Sequence, residues 1–400
     1  MSTRTASLIA LLCLAAPATA PATEEGPGRF EGLASVQAFD TVLATLSEMR
    51  DMILADATSE REASEGMRFL LRTLAMSQDV TGDGHPLAPH FARMDTAKRK
   101  IGGDNPDAEY DNVVWAGGID YEVSGNRGSV DHLSFTVLER LPNGRQKKVG
   151  YLNERELEAD ENGDFRFYFG PTKPAASDPW IQTGDTAGTM LVRQYIGDRA
   201  SETLASYSVE VIGPAALAPL PHTSDAGLAA SIGGVKQALE GIGTLHRYVS
   251  PGLGDPPNEF KLRNSDDFGA DISSADNLYV IGTYEVEADE ALLVEVEPLD
   301  VRFWNLAIEN PWHESVDYRD RRTSRTHDAG RVDPDGLVRF VIAHTPTEHP
   351  NFLVTSGHRR GFMTFRWVGE RDTKPPLPRI ERLPRDEAVA EARKRGGRDG

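Results

Sequence analysis

Two stretches near the start of the chain carry apolar residues at the spacing of an amphipathic helix. The apolar positions of the first stretch are Phe30, Leu33, Val36, Phe39, Leu43, Leu46 and Ile53. In the second stretch, Ser59 and Glu62 have the spacing of a capping box, and apolar residues at 63, 67, 70, 71 and 74 form one stripe. Residues three and four apart share one helix face, so the pattern predicts two helices that form a hairpin.

From about Asn112 the pattern changes to short runs rich in Val, Tyr, Phe and Ile, such as residues 165–169 and 190–196. Asn143-Gly144 and Asp335-Gly336 are strong turn signals between such runs. Turn signals about ten residues apart are typical of an antiparallel sandwich or jelly roll, and they do not fit alternating strands and helices. A further helical pattern covers residues 228–249, with Ile232, Val235, Leu239, Ile242 and Leu245 on one face.

The β-rich part contains one pattern twice. Residues 161–199 align with residues 334–372 without a gap, at a constant offset of 173. The identical pairs are Gly163 and Gly336, Arg166 and Arg339, Phe167 and Phe340, Gly184 and Gly357, Gly188 and Gly361, Met190 and Met363, and Arg193 and Arg366. A looser echo aligns Asp111-Asn112 with Asp276-Asn277 at an offset of 165. Solenoid repeats have periods of only about 20–50 residues, so this period indicates a duplicated domain.

These patterns predict a mainly β protein with accessory helices (α+β). It has two homologous antiparallel jelly-roll or sandwich units, an N-terminal helical hairpin and a helical linker. The expected boundaries are 1–20 for a signal peptide, 21–105 for the helical region, 106–213 for the first β-unit, 214–275 for the helical linker, 276–384 for the second β-unit and 385–400 for a charged tail that forms a frayed helix.

The first twenty residues have the pattern of a secretory signal peptide. Arg4 precedes an apolar run over residues 8–16, and Ala18-Thr19-Ala20 is an A-x-A cleavage site. The run is too short to span a membrane, so we expect a periplasmic or secreted protein cleaved near Ala20. Cys13 is the only cysteine, and Leu12 precedes it where a lipoprotein has a small residue. The mature chain then has no disulfide, no thiol chemistry and no thiolate metal site.

The chain is acidic, with 62 Asp and Glu against 43 Lys and Arg and a formal net charge of −19. A surface of this sign repels nucleic acid and anionic lipid. We therefore expect neither nucleic-acid binding nor a membrane span. Against this background, Arg319, Arg321, Arg322, Arg325 and Arg331 form a local basic patch, which is either a solvated strand face or a site for an anionic ligand.

Three parts of the chain carry a resemblance to a known family. They are residues 66–70 with 100–110, residues 289–296 with 318–324, and residues 341–367. Together they resemble bacterial proteins of the domain-of-unknown-function 1214 family, often found beside the related 1254 family. The resemblance implies jelly-roll β-domains with accessory helices, and it implies no established reaction.

The chain departs from this family pattern at three positions. The family signature Asn-Trp-Leu-Asp reads Asn351-Phe352-Leu353-Val354 here, and Thr326 stands where the family has Asn. If those polar residues hold a ligand in relatives, this chain has lost part of that site. Asn351 is the polar residue of the signature that remains, and the resemblance makes it a candidate ligand contact.

Three histidines near the end of the second copy are candidate metal ligands. His344, His349 and His358 lie in strand and loop context, where imidazoles from adjacent strands can form a cupin-like site for a divalent metal. Their spacing matches no tight metal signature, and the first copy has Pro171, Ala176 and Asp185 at these positions. The alternative is that they pack in loops or lie at the surface.

Two further groups of polar residues are candidate ligand contacts. Asp104, Asn105, Asp107 and Tyr110 lie where the helical region meets the first β-unit, and their oxygens can bind a hard cation such as calcium or form turns through side-chain to backbone hydrogen bonds. Arg193 and Arg366 occupy equivalent strand positions. A guanidinium there can grip a carboxylate or phosphate, or it can form a structural ion pair.

No nucleophile elbow, phosphate-binding glycine loop or zincin helix is present in the sequence. These features favour a non-catalytic binding or interaction module of the cell envelope, with a small-molecule, lipid or glycan ligand in the cleft between the β-units. The alternative is a hydrolase or lyase acting on a glycan or lipid, with Asp104 and Asp107 or a histidine-bound metal at its centre. The sequence leaves open whether the protein is an enzyme and what its oligomeric state is.

Overall fold

The computed structural model describes residue 28 and residues 30–141, 146–175, 177–254, 256–263, 276–369 and 373–397. The predicted signal peptide and the Asn143-Gly144 turn lie outside the described residues. The helices are α1 (Ala34–Asp56), α2 (Glu60–Ser77), α3 (Asp225–Val249) and α4 (Arg385–Arg395). A π-helical turn (Gln78–Gly82) extends α2, and 3-10 helices cover Gly213–Leu217 and Ser250–Gly254.

Eighteen strands lie in the described residues, nine in each β-unit. The strands of the first unit are β1 (Ala92–Arg93), β2 (Ala108–Trp115), β3 (Asp120–Asn126), β4 (His132–Arg140), β5 (Gln146–Asn153), β6 (Asp164–Gly170), β7 (Trp180–Gln182), β8 (Gly188–Tyr195) and β9 (Ser206–Ile212). The strands of the second unit are β10 (Glu259–Arg263), β11 (Asn277–Glu285), β12 (Glu290–Val296), β13 (Phe303–Glu309), β14 (Ser324–Thr326), β15 (Val338–Ala343), β16 (Phe352–Val354), β17 (Arg360–Val368) and β18 (Arg379–Pro384).

Each β-unit is a sandwich of a five-stranded and a four-stranded sheet. The first unit has the strand orders β1-β2-β8-β4-β5 and β7-β6-β3-β9. The second unit repeats both, as β10-β11-β17-β13-β14 and β16-β15-β12-β18. The predicted mainly β class and the duplicated sandwich are therefore confirmed. One detail differs from the prediction, because β7 pairs with β6, and β16 with β15, in parallel at the sheet edge.

The strand register corrects the looser echo that the sequence suggested. Tyr110 pairs with Arg193 in the first unit, and Tyr279 pairs with Arg366 in the second. The equivalent residues of β2 and β11 are therefore 169 apart, and the offset of 165 was wrong. Gly163 and Gly336 are equivalent as predicted, and both have positive φ, at 86° and 83°, which glycine adopts without strain at the turn before the next strand.

Each sandwich has its own core of alternating inward-facing side chains. Phe167 on β6 and its equivalent Phe340 on β15 are both fully buried, and they lie opposite Val123 and Val294. Fully burying one such side chain contributes about 1.5–3 kcal/mol. The period-two pattern that predicted strands therefore corresponds to the inner faces of the sheets.

The helices α1, α2 and α3 pack into one layer with a third core. The helices α1 and α3 run parallel. The carboxylate of Asp225 at the start of α3 accepts hydrogen bonds from the first amides of α1, and His246 near the end of α3 contacts Asp56 at the end of α1. Trp312 of the second β-unit inserts into this layer, and its indole nitrogen donates to the Glu62 carbonyl at 2.9 Å.

Three parts of the helical prediction differ from the structure. Phe39 and Leu43, predicted to lie on the buried face of α1, are about half exposed. The predicted Ile53 is buried, together with Val42 and Met49, which were not predicted. The tail after residue 385 is not frayed, because Ala388 and Ala392 of α4 are buried against the β12–β15 sheet. The short strands β1 and β10 lie in segments that were predicted as helical region and helical linker.

The two β-units meet through side chains of their five-stranded sheets. Tyr195 and Ala108 of the first unit pack against Phe303 and Val368 of the second. Arg302 of the second unit forms an ion pair with Glu154 of the first. The units are therefore in direct contact in the region where the sequence placed a ligand cleft. None of the helices in the described ranges has both the length and the apolar character that crossing a bilayer requires.

Candidate functional site: an electropositive cleft

A cleft lies between α2 and loops that belong mainly to the second β-unit. Its cavity volume is about 340 Å³. The wall on α2 is built from Arg61, Glu65, Arg68 and Arg72, which are four, three and four residues apart and therefore share one helix face. The other walls come from loop residues 97–100, 310–321 and 356–358.

The lining of the cleft is strongly basic, although the whole chain is acidic. Its charged residues are the basic Arg61, Arg68, Arg72, Lys98, Lys100, Arg319 and Arg321 and the acidic Glu65, Glu314 and Asp317, together with the titratable His358. Seven cationic side chains thus face three carboxylates. A concave surface with one dominant sign of charge concentrates ligands of the opposite sign.

Lys100 is buried at the floor of the cleft. Its side-chain nitrogen lies 2.6 Å from the hydroxyl oxygen of Ser315 and 3.9 Å from the centre of the Tyr318 ring. Burial lowers the pKa of Lys100, and the nearby carboxylates of Asp104 and Glu314 oppose that shift. The Asp104 carboxylate also accepts hydrogen bonds from the Ser315 amide, at 3.1 Å, and from the Ser315 hydroxyl.

Some of the basic side chains in the walls already have protein partners. Arg72 donates to Glu314 at 2.9 Å, and burial raises the pKa of Glu314 although Arg72 opposes the shift. Arg61 donates to the carbonyl oxygens of residues 356 and 357. His358 lies 2.8 Å from Glu65. Burial alone would raise the pKa of Glu65, but the hydrogen bond from His358 lowers it overall.

Other basic side chains at the rim are available to a ligand. Within the described part of the chain, Lys98 and Arg321 are exposed, and no side-chain hydrogen bond or ion pair is found for either. Arg68 is 55% exposed and has one long ion pair, at 3.7 Å, with Glu65. The cleft therefore combines a fixed, desolvated ammonium at its floor with free cations at its mouth.

The predicted residues Asp104, Asn105 and Asp107 are brought together, but they bind protein groups. The Asn305 amide donates to Asn105 at 2.6 Å and to Asp107 at 2.8 Å, and Ser324 donates to Asp107 at 3.1 Å. Burial raises the pKa of Asp107, while the hydrogen bonds from Asn305 and Ser324 oppose the shift. Asp104 alone of the three reaches the cleft floor, through Ser315. These side chains therefore join segments of the two β-units.

Tyr110, Arg193 and Arg366 lie in the contact between the β-units. Arg193 is 6% exposed and donates to the Thr136 hydroxyl at 3.1 Å. Arg366 is 3% exposed, and it contacts Glu309 at 3.1 Å and the carbonyl oxygen of Gly103 at 3.2 Å. Burial raises the pKa of Tyr110 well above its usual value. The two equivalent arginines therefore have protein partners in the interface.

Asn351 and the three predicted metal-binding histidines lie at separate positions. The buried Asn351 side chain accepts from the Arg331 amide at 2.8 Å and donates to the Arg331 and Arg339 carbonyls, so it fixes two backbone segments. His344 lies 2.9 Å from the Val286 carbonyl oxygen, and His349 accepts from the Asn351 amide. His358 is the one of the three that lines the cleft.

These histidines do not form one ligand set in the part of the chain that the structure describes. There, one group of three or more His, Asp or Glu residues has ligand atoms that all lie within 4.8 Å of one another, and none of the three histidines belongs to it.

A second cavity beside Tyr248 and Phe362 has a volume of about 30 Å³, which is room for one or two water molecules.

Most residues of the cleft were missed by the sequence interpretation. The basic patch at Arg319 and Arg321 was noted, but its neighbours Arg322 and Arg325 turn away and donate to the Pro350 carbonyl. The spacing of Arg61, Arg68 and Arg72 on the predicted second helix is a signal that a search for charged stripes would find. Lys100 and Ser315 are 215 positions apart, and no local pattern relates them.

The family match found by comparison with known proteins lies in the first β-sandwich and does not include residues of the cleft. Residues 120–198 match the model of a family described as protein of unknown function (DUF1214). These residues are therefore similar to this family. The matched residues cover β3 to β8 of the first unit, whereas the sequence resemblance was most specific in the second unit, at residues 341–367. The resemblance to this family is confirmed, and DUF1214 comes with no reaction.

Two solved structures are similar to this chain. An uncharacterised protein from Burkholderia cenocepacia is 28% identical, with a TM-score of 0.81, and the match covers 90% of this chain and 100% of that one. The two proteins share the whole architecture. A protein from Vibrio parahaemolyticus is 12% identical with a TM-score of 0.48, covering 78% of this chain and 100% of that one. No curated protein matches the chain.

Proposed function

We propose that this protein is an exported ligand-binding module whose cleft binds a small molecule with phosphate or carboxylate groups. The observation that supports this proposal is the concentration of seven lysines and arginines around one cavity of about 340 Å³ in a chain of net charge −19. Such a cluster costs electrostatic energy unless counter-charges approach it, and an anionic ligand provides them.

The positions of the cations favour a ligand with more than one negative charge. Lys100 is buried at the floor, while Lys98 from the same loop and Arg321 from a second loop are exposed at the rim, so one anionic group can reach the floor while a second binds at the mouth. The cavity lies at the small end of the range that binds small molecules, about 300–1,000 Å³. Arginine and lysine both bind phosphate and carboxylate, arginine through two parallel hydrogen bonds.

The exported location is part of the same proposal and rests on the first twenty residues. Arg4, the apolar run and the A-x-A sequence at 18–20 predict cleavage near Ala20. Fractionation of the native cells, with N-terminal sequencing of the mature protein, tests this part. A mature chain that begins near residue 21 outside the cytoplasm supports export, and a cytoplasmic chain that retains residues 1–20 contradicts it.

Calorimetric titration of the purified mature protein tests the binding proposal. We expect pyrophosphate and citrate to bind and to raise the melting temperature at constant ionic strength, whereas glucose does neither. Comparing pyrophosphate with citrate distinguishes a phosphate site from a carboxylate site. The Lys98→Gln, Arg321→Gln variant should lose at least tenfold in affinity for the better ligand.

A matched variant with the same loss of charge controls for general electrostatic effects. Lys236 on α3 and Arg382 on β18 are basic side chains outside the cleft lining. The Lys236→Gln, Arg382→Gln variant should bind as tightly as the unmodified protein. If both double variants lost the same affinity for the ligand, the loss would come from the change in net charge. That result would contradict a specific site.

A second candidate function is hydrolysis of the bound ligand, and one observation favours it. The Ser315 hydroxyl lies between the Lys100 ammonium and the Asp104 carboxylate at the cleft floor, and such groups can hold and activate a nucleophilic oxygen. Phosphate esters and carboxylic esters tested as substrates would reveal it. Turnover that Ser315→Ala abolishes without loss of binding would support hydrolysis, and binding without turnover would leave the module non-catalytic.

A further inference from the structure

A second group of polar side chains lies where the two β-units meet, away from the cleft. Asp131 precedes β4 of the first unit, and His327 and Asp328 follow β14 of the second. One ligand atom from each of these residues lies within 4.8 Å of the other two. The Thr326 hydroxyl donates to the Gly197 carbonyl at 2.6 Å and holds the two loops together beside the group.

The separations within this group are those of metal ligands. The Nε2 atom of His327 is 3.5 Å from Oδ2 of Asp131 and 3.4 Å from Oδ1 of Asp328. Charge-assisted hydrogen bonds between such groups are shorter, about 2.7–2.9 Å. Ligands of a tetrahedral metal at about 2.0–2.1 Å lie about 3.3 Å apart, which is close to both separations. The imidazole also distinguishes this group from a simple cluster of carboxylates.

A third carboxylate converges on the same place. A Cβ added to Gly197 would lie within 3.0 Å of an oxygen of each of Asp131, Asp328 and Glu202. The glycine therefore leaves room where three acidic side chains point together. Oδ2 of Asp131 and Oε2 of Glu202 are buried and accept no hydrogen bond from any described residue.

The charges of this group are not balanced by basic side chains. Among the described residues, no lysine or arginine forms an ion pair with Asp131, Glu202 or Asp328. Three carboxylates that share one imidazole repel one another, and a divalent cation removes that repulsion. Two carboxylates come from the first unit, while His327 and Asp328 come from the second, so such an ion would also join the units.

We propose that Asp131, His327 and Asp328 bind one divalent transition-metal ion of the zinc type, with Glu202 as a further carboxylate ligand. Nitrogen and carboxylate oxygen donors at these separations suit Zn²⁺, whereas Ca²⁺ prefers six to eight oxygen ligands. The site is distinct from the histidines 344, 349 and 358, and it does not depend on the anion-binding proposal. Its role is to fix the arrangement of the two β-units.

The experiment uses the full mature protein after treatment with a chelator and dialysis. Zn²⁺ titrated by calorimetry should bind at one equivalent, and the melting temperature should rise by several degrees in the presence of excess Zn²⁺. The His327→Gln, Asp328→Asn variant should weaken Zn²⁺ binding at least tenfold and should lose the rise in melting temperature. Circular dichroism of the metal-free variant checks that it folds.

His222→Gln provides the matched control, because His222 is exposed and lies outside the group. This variant should bind Zn²⁺ like the unmodified protein. Binding that persists in the His327→Gln, Asp328→Asn variant, or the absence of stoichiometric Zn²⁺ binding to the unmodified protein, would overturn the site. Binding of Ca²⁺ or Mg²⁺ in place of Zn²⁺ would overturn its assignment to a transition metal.

Discussion

The side-chain nitrogen of Lys100 lies 2.6 Å from the hydroxyl oxygen of Ser315, and this contact joins the segment between β1 and β2 to the second β-unit. Both residues lie at the floor of the cleft, and both are almost completely buried. A buried ammonium held by neutral and acidic partners is a fixed positive charge in a site of low dielectric. Electrostatic attraction to a ligand is stronger there than at the protein surface.

Replacing Lys100 with Met should abolish anion binding to the cleft. The change removes the floor charge and the buried hydrogen bond that Lys100 donates to Ser315, so we also expect a loss of stability of about 1–3 kcal/mol. Calorimetry with pyrophosphate measures the first effect, and urea unfolding measures the second. If a folded Lys100→Met variant bound pyrophosphate as tightly as the unmodified protein, Lys100 at the floor would not be part of the anion-binding site.

The duplicated arginines Arg166 and Arg339 should respond differently to the same change. Arg339 is 3% exposed and contacts Glu295 at 2.7 Å and Asp333 at 2.8 Å, whereas Arg166 is 53% exposed and contacts Glu122 at 3.2 Å. Arg339→Met removes the guanidinium from the buried carboxylates of Glu295 and Asp333 and should cost about 3–5 kcal/mol. Arg166→Met should leave the free energy of unfolding unchanged within error. Equal losses in urea unfolding would contradict this account.

Because of the ion pair between the β-units, the free energy of unfolding should decrease at acidic pH. Burial alone would raise the pKa of Glu154, but the hydrogen bond from His132 and the charge of Arg302 lower it to about 2. The pKa in the folded state is below the value of 4.5 in the unfolded chain, so the stabilisation is complete above pH 4.5 and is lost as the pH falls toward 2. The shift corresponds to about 3 kcal/mol.

Urea unfolding of Glu154→Gln at several pH values measures this effect. The variant should be less stable than the unmodified protein at pH 6, and the difference should shrink as the pH is lowered from 4.5 toward 2. A difference that does not change with pH would show that the carboxylate charge of Glu154 is not what stabilises the contact.

The repeated glycines Gly188 and Gly361 should both be intolerant of a side chain. A Cβ at Gly188 would clash with the Leu138 carbonyl oxygen, and one at Gly361 would clash with the Glu309 carbonyl oxygen, both on neighbouring strands. Each change to Ala should lower stability by about 1–3 kcal/mol. Gly233→Ala on α3 is the control, because nothing lies near its Cβ, and it should gain about 0.5–1 kcal/mol. Thermal unfolding checks all three.

The sequence predicted the scaffold because its signals are local. The glycines before β6 and β15, the apolar alternation and the helical spacing each depend on neighbouring residues, and the duplicated sandwich follows from them. The buried face of α1 was predicted correctly at Ile53 and wrongly at Phe39 and Leu43, because α3 and Trp312, far along the chain, decide which side of the helix is covered. An apolar stripe in the sequence therefore predicts that a helix forms more reliably than it predicts which face of that helix is buried.

The cleft was largely beyond prediction for the same reason. Its residues lie on separate segments between positions 61 and 358, and a charged residue on a helix has the same local pattern whether it lines a cavity or faces water. Asp104 was predicted as a ligand contact, and that role stays a prediction. Its hydrogen bond with Ser315, and the bond from Lys100 to Ser315, became visible only in three dimensions. The residues that looked most like metal ligands were separated by the fold.

The most direct test of anion binding in the cleft is a crystal structure of the mature protein soaked with tungstate, a phosphate analogue whose anomalous signal locates it. The account predicts a tungstate within hydrogen-bond distance of Lys100, with Arg321 or Lys98 as a further contact, and its loss in the Lys98→Gln, Arg321→Gln variant. A well-occupied tungstate elsewhere on the protein, with none in the cleft, would contradict it.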